Sequence, residues 1–127
     1  MKGYLIDTNI LIYYMADDLP KKEISHIEDI IKNSFNISII TKIEFLGWDK
    51  HTKEGYRSAL KFLSFSNVIP LENHVANLAI KIRRESHVRL PDAVIAASSL
   101  HHELILVTRN QKDFKGISGL EIYNPFQ

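Results

Sequence analysis

Short apolar runs alternate along this chain with longer stretches of helical periodicity, and that alternation restricts the folds open to it. Tyr4-Leu5-Ile6, Asn36-Ile37-Ser38-Ile39-Ile40, Asn67-Val68-Ile69-Pro70 (stopped by its proline) and Leu104-Ile105-Leu106-Val107 read as strands, and Leu120-Glu121-Ile122-Tyr123 as a weaker last one. Between them, Ile24, Ile27, Ile30 and Ile31 keep helical spacing after Pro20. Tyr56, Leu60 and Leu63 do the same, and so do Val75, Leu78, Ala79 and Ile82 up to about Ser86. Asn9 is the predicted N-cap of a helix through Ile10 to Tyr14. Thr41-Lys42-Ile43-Glu44 matches a capping box, so a helix is predicted from Thr41. Pro91 suits the first position of a helix, and Ala93 to Leu100 is apolar or small nearly all round, the pattern of a buried helix. Strands of four or five residues alternating with helices specify an α/β fold, a short-stranded parallel sheet covered on both faces.

The chain has 127 residues, one domain's worth with a real core. It is 45% hydrophobic and 24% charged, a globular balance rather than a disordered one. A net charge of +1 gives no strong global pull on nucleic acid or anionic lipid. There is no cysteine, which excludes disulfide and thiolate chemistry and permits a cytoplasmic location. Asp7 cuts the N-terminal apolar run too early for a signal peptide, and no stretch approaches the roughly 20 apolar residues that span a bilayer. No membrane partner is expected.

The alternation gives four acids a common address. In a parallel sheet the covering helices run back against the strands, so helix N-termini lie at the edge where strands end. Asp7 ends the first strand, and Glu44 falls in the first turn after the second. Asp92 falls in the first turn of the buried helix, and Asp113 in the loop after the Leu104 strand. All four are predicted at the carboxyl edge, where open α/β sheets bind ligands.

Each acid also has a plain reading: Glu44 as a capping-box glutamate, Asp92 as a first-turn acid on a helix dipole, Asp7 as a turn residue, Asp113 as a loop acid. Capping and dipole effects are worth about 1 kcal/mol each. Two unit charges about 4 Å apart repel by about 4 kcal/mol at an effective dielectric of about 20. If the acids converge, a cation or raised pKa values must offset that repulsion. An all-carboxylate site suits hard cations, so Mg²⁺ is expected, with Mn²⁺ as the variant. The six histidines form no zinc pattern; His101 and His102 are adjacent and point apart on a helix.

Four segments follow one another in order: Leu5-Ile6-Asp7-Thr8-Asn9-Ile10, Thr41-Lys42-Ile43-Glu44-Phe45-Leu46-Gly47, Leu90-Pro91-Asp92-Ala93-Val94-Ile95-Ala96-Ala97 and Val107-Thr108-Arg109-Asn110-Gln111-Lys112-Asp113-Phe114. Together they resemble the PIN-domain family, and within it the VapC-type toxins of toxin–antitoxin pairs. The resemblance runs from near residue 4 to the C-terminus. It implies a three-layer α/β/α sandwich and a metal-dependent endoribonuclease whose products carry a 5′-phosphate and a 3′-hydroxyl. It places Asp7, Glu44, Asp92 and Asp113 on the acidic site; of these, Asp7 and Asp92 are expected to hold the principal ion. It also places Thr8 on a hydroxyl position beside the first acid. Asn110 falls on a polar position that is an acid in some relatives, which leaves one fewer charge here. The implied partners are an RNA substrate, a small cognate antitoxin and a second copy of the chain.

Lys42, Arg89 and Arg109 lie close in sequence to these acids and are candidate phosphate contacts; ordinary solvated surface is the alternative. Ile12 to Met15 and Phe45 to Trp48 are candidate partner contacts, Trp48 foremost. Two other function classes share acids at strand ends. A phosphatase of the haloacid type wants a second acid two residues after the first, where this chain has Asn9. A receiver domain wants a lysine after a late strand, where this chain has Thr108-Arg109. A PIN-scaffold binding module without catalysis is the remaining alternative, and the four acids argue against it.

Overall fold

In the computed structural model, which describes residues 2–127, five short strands pair in parallel as one sheet. They are β1 (Tyr4–Ile6), β2 (Asn36–Ser38), β3 (Asn67–Ile69), β4 (Ile105–Val107) and β5 (Ile122–Tyr123), in the order β3-β2-β1-β4-β5. The chain lays strands outward on one side of β1, then returns to lay β4 and β5 on the other. The direction of winding therefore reverses beside β1, and the seam between β1 and β4 is the switch point where such sheets open a crevice.

Strand register sorts the core into two layers. Leu5 pairs with Leu106 and Ile6 with Val107, and successive side chains point to opposite faces. Leu5 and Leu106 pack with Val75, Ala79 and Ile82 of α5 (Asn73–Glu85) and with Ala93 to Ala97 of α6 (Leu90–His101). Ile6, Ile37 and Val107 pack on the other face. Their partners are Ile10 and Leu11 of α1 (Thr8–Met15), Ile27 and Ile30 of α2 (Lys21–Asn33), and Ala59 and Leu63 of α4 (Lys53–Leu63). Helices on both faces of a parallel sheet make the expected three-layer α/β/α sandwich. The remaining helix, α3 (Ile39–Leu46), follows β2 directly.

Three helix starts differ from the sequence expectation, and two of the differences bear on the site. Asp7, not Asn9, caps α1: its backbone is extended and its side chain accepts from the Thr8 amide. Ser38, not Thr41, caps α3, its Oγ accepting from the Ile40 amide at 3.1 Å. The second strand therefore stops at Ser38, because a serine with extended backbone meets an orphan helix N–H sooner than Thr41 does. Thr41 is buried inside the helix instead. Glu44 then falls well past the first turn, and the capping-box role open to it is removed. Pro91 takes the second helical position rather than the first, and Asp113 sits in a 3₁₀ turn, Gln111–Phe114, rather than in open loop.

Candidate active site

Asp7 stands at the end of β1 beside the seam and is buried, 6% exposed. Its Oδ1 accepts from the Thr8 amide at 2.8 Å. Its Oδ2 accepts from Thr108 Oγ1 at 2.8 Å and from Asn9 Nδ2 at 2.9 Å. Thr108 is the residue after β4, so the two strands at the seam meet through this hydrogen bond. Burial pushes the Asp7 carboxyl up to about 6. The hydrogen bonds from Thr108 and Thr8 oppose the rise, and the charges of Asp92 and Glu44 add to it.

Asp92 enters from the opposite layer, in the first turn of α6, with its side chain 11% exposed. The helix behind it is buried on all sides, and Ala93, Ala96 and Ala97 let it lie close to the sheet. That packing fixes where Asp92 sits. Burial raises its pKa; Arg89, whose Nε donates to Oδ2 at 3.3 Å, draws it back, and Asp113 and Glu44 push it further up.

Glu44 is exposed on α3, and the hydroxyl of Thr8 orients it, donating to Oε1 at 2.6 Å. Thr8 Oγ1 is also 3.1 Å from Thr41 Oγ1. A hydroxyl has one proton, so with that of Thr8 on Glu44 the buried Thr41 donates in this pair. Asp113 is half-buried in the 3₁₀ turn and lies across a cleft of about 480 Å³ that Asp92 also lines. The cleft carries Arg89, Lys112 and Lys115 on its walls.

All four acids therefore come to the carboxyl edge, from four different elements. Asp7, Asp92 and Glu44 lie within one another's fields, and Asp113 joins through Asp92. Among the described residues no three His, Cys, Asp or Glu side chains are close enough to form a ready-made metal cage. Mg²⁺ does not ask for one, since it takes one or two carboxylates and keeps several waters. The donor set is all oxygen, and two of its carboxyls, Asp7 and Asp92, are raised by burial and by neighbouring carboxylates. Both properties fit a hard divalent cation, whose charge would offset them.

A PIN-domain family model matches residues 4–120. The chain belongs to the PIN-domain family. Among solved structures, this PIN domain is similar to a chain of a toxin–antitoxin complex from Klebsiella pneumoniae, with 32% identity and a TM-score of 0.80, over 98% of this chain and 99% of that one. It is also similar to a chain of VapBC2 from Rickettsia felis bound to a DNA fragment from their promoter. That match has 29% identity and a TM-score of 0.79, over 95% of this chain and 97% of that one. VapBC-1 from nontypeable Haemophilus influenzae, at 22% identity and a TM-score of 0.78 over 98% of each chain, shares the fold. No curated protein matches the chain.

The three candidate phosphate contacts have different surroundings. Lys42 is exposed on α3. Arg89 is tied to Asp92. Arg109 turns its guanidinium onto Phe126 and Tyr13. Asn110 opens the 3₁₀ turn, and its amide donates to Thr108 Oγ1 at 3.1 Å. Trp48 is 55% exposed and lines an apolar groove of about 420 Å³ with Ile12, Met15, Phe45 and His51, bordered by Glu44. No helix among the described residues is long and apolar enough to cross a membrane.

Sequence reasoning missed Asn9 and Thr108 as partners of Asp7. The usable signal for Thr108 was its position: a hydroxyl residue directly after one central strand faces an acid directly after its neighbour.

Proposed function

We propose that this PIN domain is a divalent-metal-dependent endoribonuclease and the toxin of a toxin–antitoxin pair. One observation carries the reading. Four carboxyls from separate elements come to the carboxyl edge at the switch point of a parallel sheet, and two of them, Asp92 and Asp113, line a cleft that also presents arginine and lysine. Asp7 and Asp92 would hold the principal Mg²⁺ or Mn²⁺, with Glu44 and Asp113 completing its surroundings. Bound there, the cation supplies an acidified water as nucleophile and neutralises charge growing on the phosphate.

The protein's own residues prepare that edge. Thr108 and the Thr8 amide hold Asp7 by hydrogen bonds that favour its charged form. The Thr8 side chain holds Glu44 in one orientation. Arg89 counters the charge of Asp92, and Lys112 and Lys115 offer point charges to the phosphates of a strand lying in the cleft. No covalent enzyme intermediate is required. The similarity to chains of toxin–antitoxin complexes supports a small antitoxin as partner. The exposed apolar groove around Trp48 is the surface we assign to it, and a second copy of the chain is the further expected partner.

The test is to map cleaved RNA ends in cells after induction of the protein. New 5′-phosphate ends should appear, vanish in an Asp7→Asn control, and be suppressed by co-expression of the adjacent small open reading frame. New ends that persist in the Asp7→Asn strain would remove the assignment.

A further inference from the structure

The C-terminal segment has no part in the site just described, yet one side chain connects the two. Arg109 follows Thr108, beyond the last rung of the sheet: the Thr108 amide donates to Tyr123 O at 3.1 Å, and β5 ends at Tyr123. Past that rung the segments that follow β4 and β5 are joined by side chains. The Arg109 guanidinium rests 4.2 Å from the centre of the Phe126 ring and 5.2 Å from that of Tyr13. Its Nη1 donates to the Tyr13 hydroxyl at 2.9 Å, and the two rings meet at 4.9 Å between centres. The Arg109 backbone is held at both ends. Its N–H donates to Asn9 Oδ1 at 3.1 Å, and its carbonyl accepts from Asn124 Nδ2 at 3.2 Å. Asn124 Nδ2 also reaches Gln111 Oε1 at 3.1 Å, its Oδ1 accepts from the Phe126 amide at 2.9 Å, and Pro125 between them is buried.

Asn9 and Thr108, on either side of this arrangement, are the two side chains that donate to Asp7 Oδ2. A guanidinium waiting for a phosphate would keep its fork free, whereas this one is turned onto two rings and a phenol oxygen. Lysine cannot reproduce that planar contact.

We propose that Asn124–Phe126 clamps Arg109, and that Arg109 is a positioning residue for Asp7, acting through Asn9 and Thr108. The clamp replaces the sheet ladder where the ladder stops. Without it the β4 exit is an unpaired loop, the kind of segment that opens locally at little cost. A misplacement of about 1 Å at a reacting group lowers rate by about 100-fold, so a modest loosening has a measurable effect. The activity consequence rests on the nuclease reading; the structural one does not.

The experiment therefore has two arms, on the wild type and on Phe126→Ala, Phe126→Tyr, Tyr13→Phe and Arg109→Ala. Amide hydrogen exchange at Arg109 and Asn110 should quicken by about tenfold or more in Phe126→Ala and return towards wild type in Phe126→Tyr, with the Leu106 amide unchanged. RNA cleavage with Mn²⁺ should lose about tenfold in kcat in Phe126→Ala and Arg109→Ala, with KM and its salt dependence unaltered. Should Phe126→Ala fail to fold, Tyr13→Phe removes only the acceptor of Nη1 and carries both readings with a smaller shift. Unchanged exchange at Arg109 and Asn110 overturns the clamp. So does an Arg109→Ala variant that keeps kcat but shows a higher KM and a salt slope shallower by about 0.7, the mark of a lost phosphate contact. A wild type that cleaves no RNA refutes the nuclease reading alone, and the exchange arm still decides the clamp.

Discussion

Thr108 donates its hydroxyl proton to Asp7 Oδ2 at 2.8 Å, across the seam where β1 and β4 end side by side. The acid is buried, and this bond favours the charged form that burial opposes. Thr108→Val keeps the shape and removes the donor. A hydrogen bond to a charged group is worth about 1.5–3 kcal/mol. Cleavage by Thr108→Val should therefore fall by roughly 10–100-fold, while Thr108→Ser retains most activity. Steady-state rates of the two variants on one RNA substrate check this.

The raised Asp7 pKa fixes the sign of a pH effect. Its carboxyl titrates near 6 in the folded chain against about 4 when unfolded, so the folded state holds the proton more tightly. This group's contribution to stability is full below about pH 4 and is lost as pH rises through about 6. Asp92 is displaced in the same direction. Two pH units correspond to about 3 kcal/mol. Metal-free protein should lose thermal stability from pH 4 to pH 7, relative to an Asp7→Asn variant, which should be the more stable by about 1–3 kcal/mol at pH 7. Adding Mg²⁺ at pH 7 should narrow that gap by stabilising the wild type. Thermal unfolding with and without EDTA measures all three.

Lys112 and Lys115 line the cleft beside Asp92 and Asp113. If they meet phosphates, each alanine variant raises KM with little change in kcat. The dependence of log KM on log salt should become shallower by about 0.7 per lysine. A salt series on a fixed single-stranded RNA reads this out.

Leu106 is fully buried between α6 and the sheet, opposite Leu5. Leu106→Ala should cost about 2–5 kcal/mol of folding stability. Urea unfolding should show a lower midpoint with an unchanged slope.

Much of this molecule was legible in the sequence because its signals are local. The alternation of short apolar runs with helical stretches specified a parallel sheet, and Ile6 and Val107 could be placed in a core from their runs alone. Asp7 and Asp92 were legible from their places at a strand end and a helix start, whereas Glu44 reaches the same edge from further along α3 than the first turn where it was expected. The helix caps were not. A strand of three residues offers a single alternation, so nothing local separates Ser38 from Thr41, or Asp7 from Asn9, as the turning point. A shared edge for the acids was an inference from topology; the structure brings Asp7, Asp92 and Glu44 within reach of one another's charge, and Asp113 through Asp92, without closing a cage among the described residues. The contacts of Arg109 were out of reach, because Tyr13 and Phe126 are remote from it in sequence and only the fold brings them to it.

We propose the acidic edge as a metal-dependent phosphodiester-cleaving site. The most direct measurement is a time course of an end-labelled single-stranded RNA with purified wild-type protein and with Asp92→Asn, each with Mg²⁺ and with EDTA. Cleavage by wild type with Mg²⁺ only, leaving 5′-phosphate ends, and none by Asp92→Asn is the expected result. Equal cleavage by wild type and Asp92→Asn, or cleavage that persists in EDTA, would contradict it.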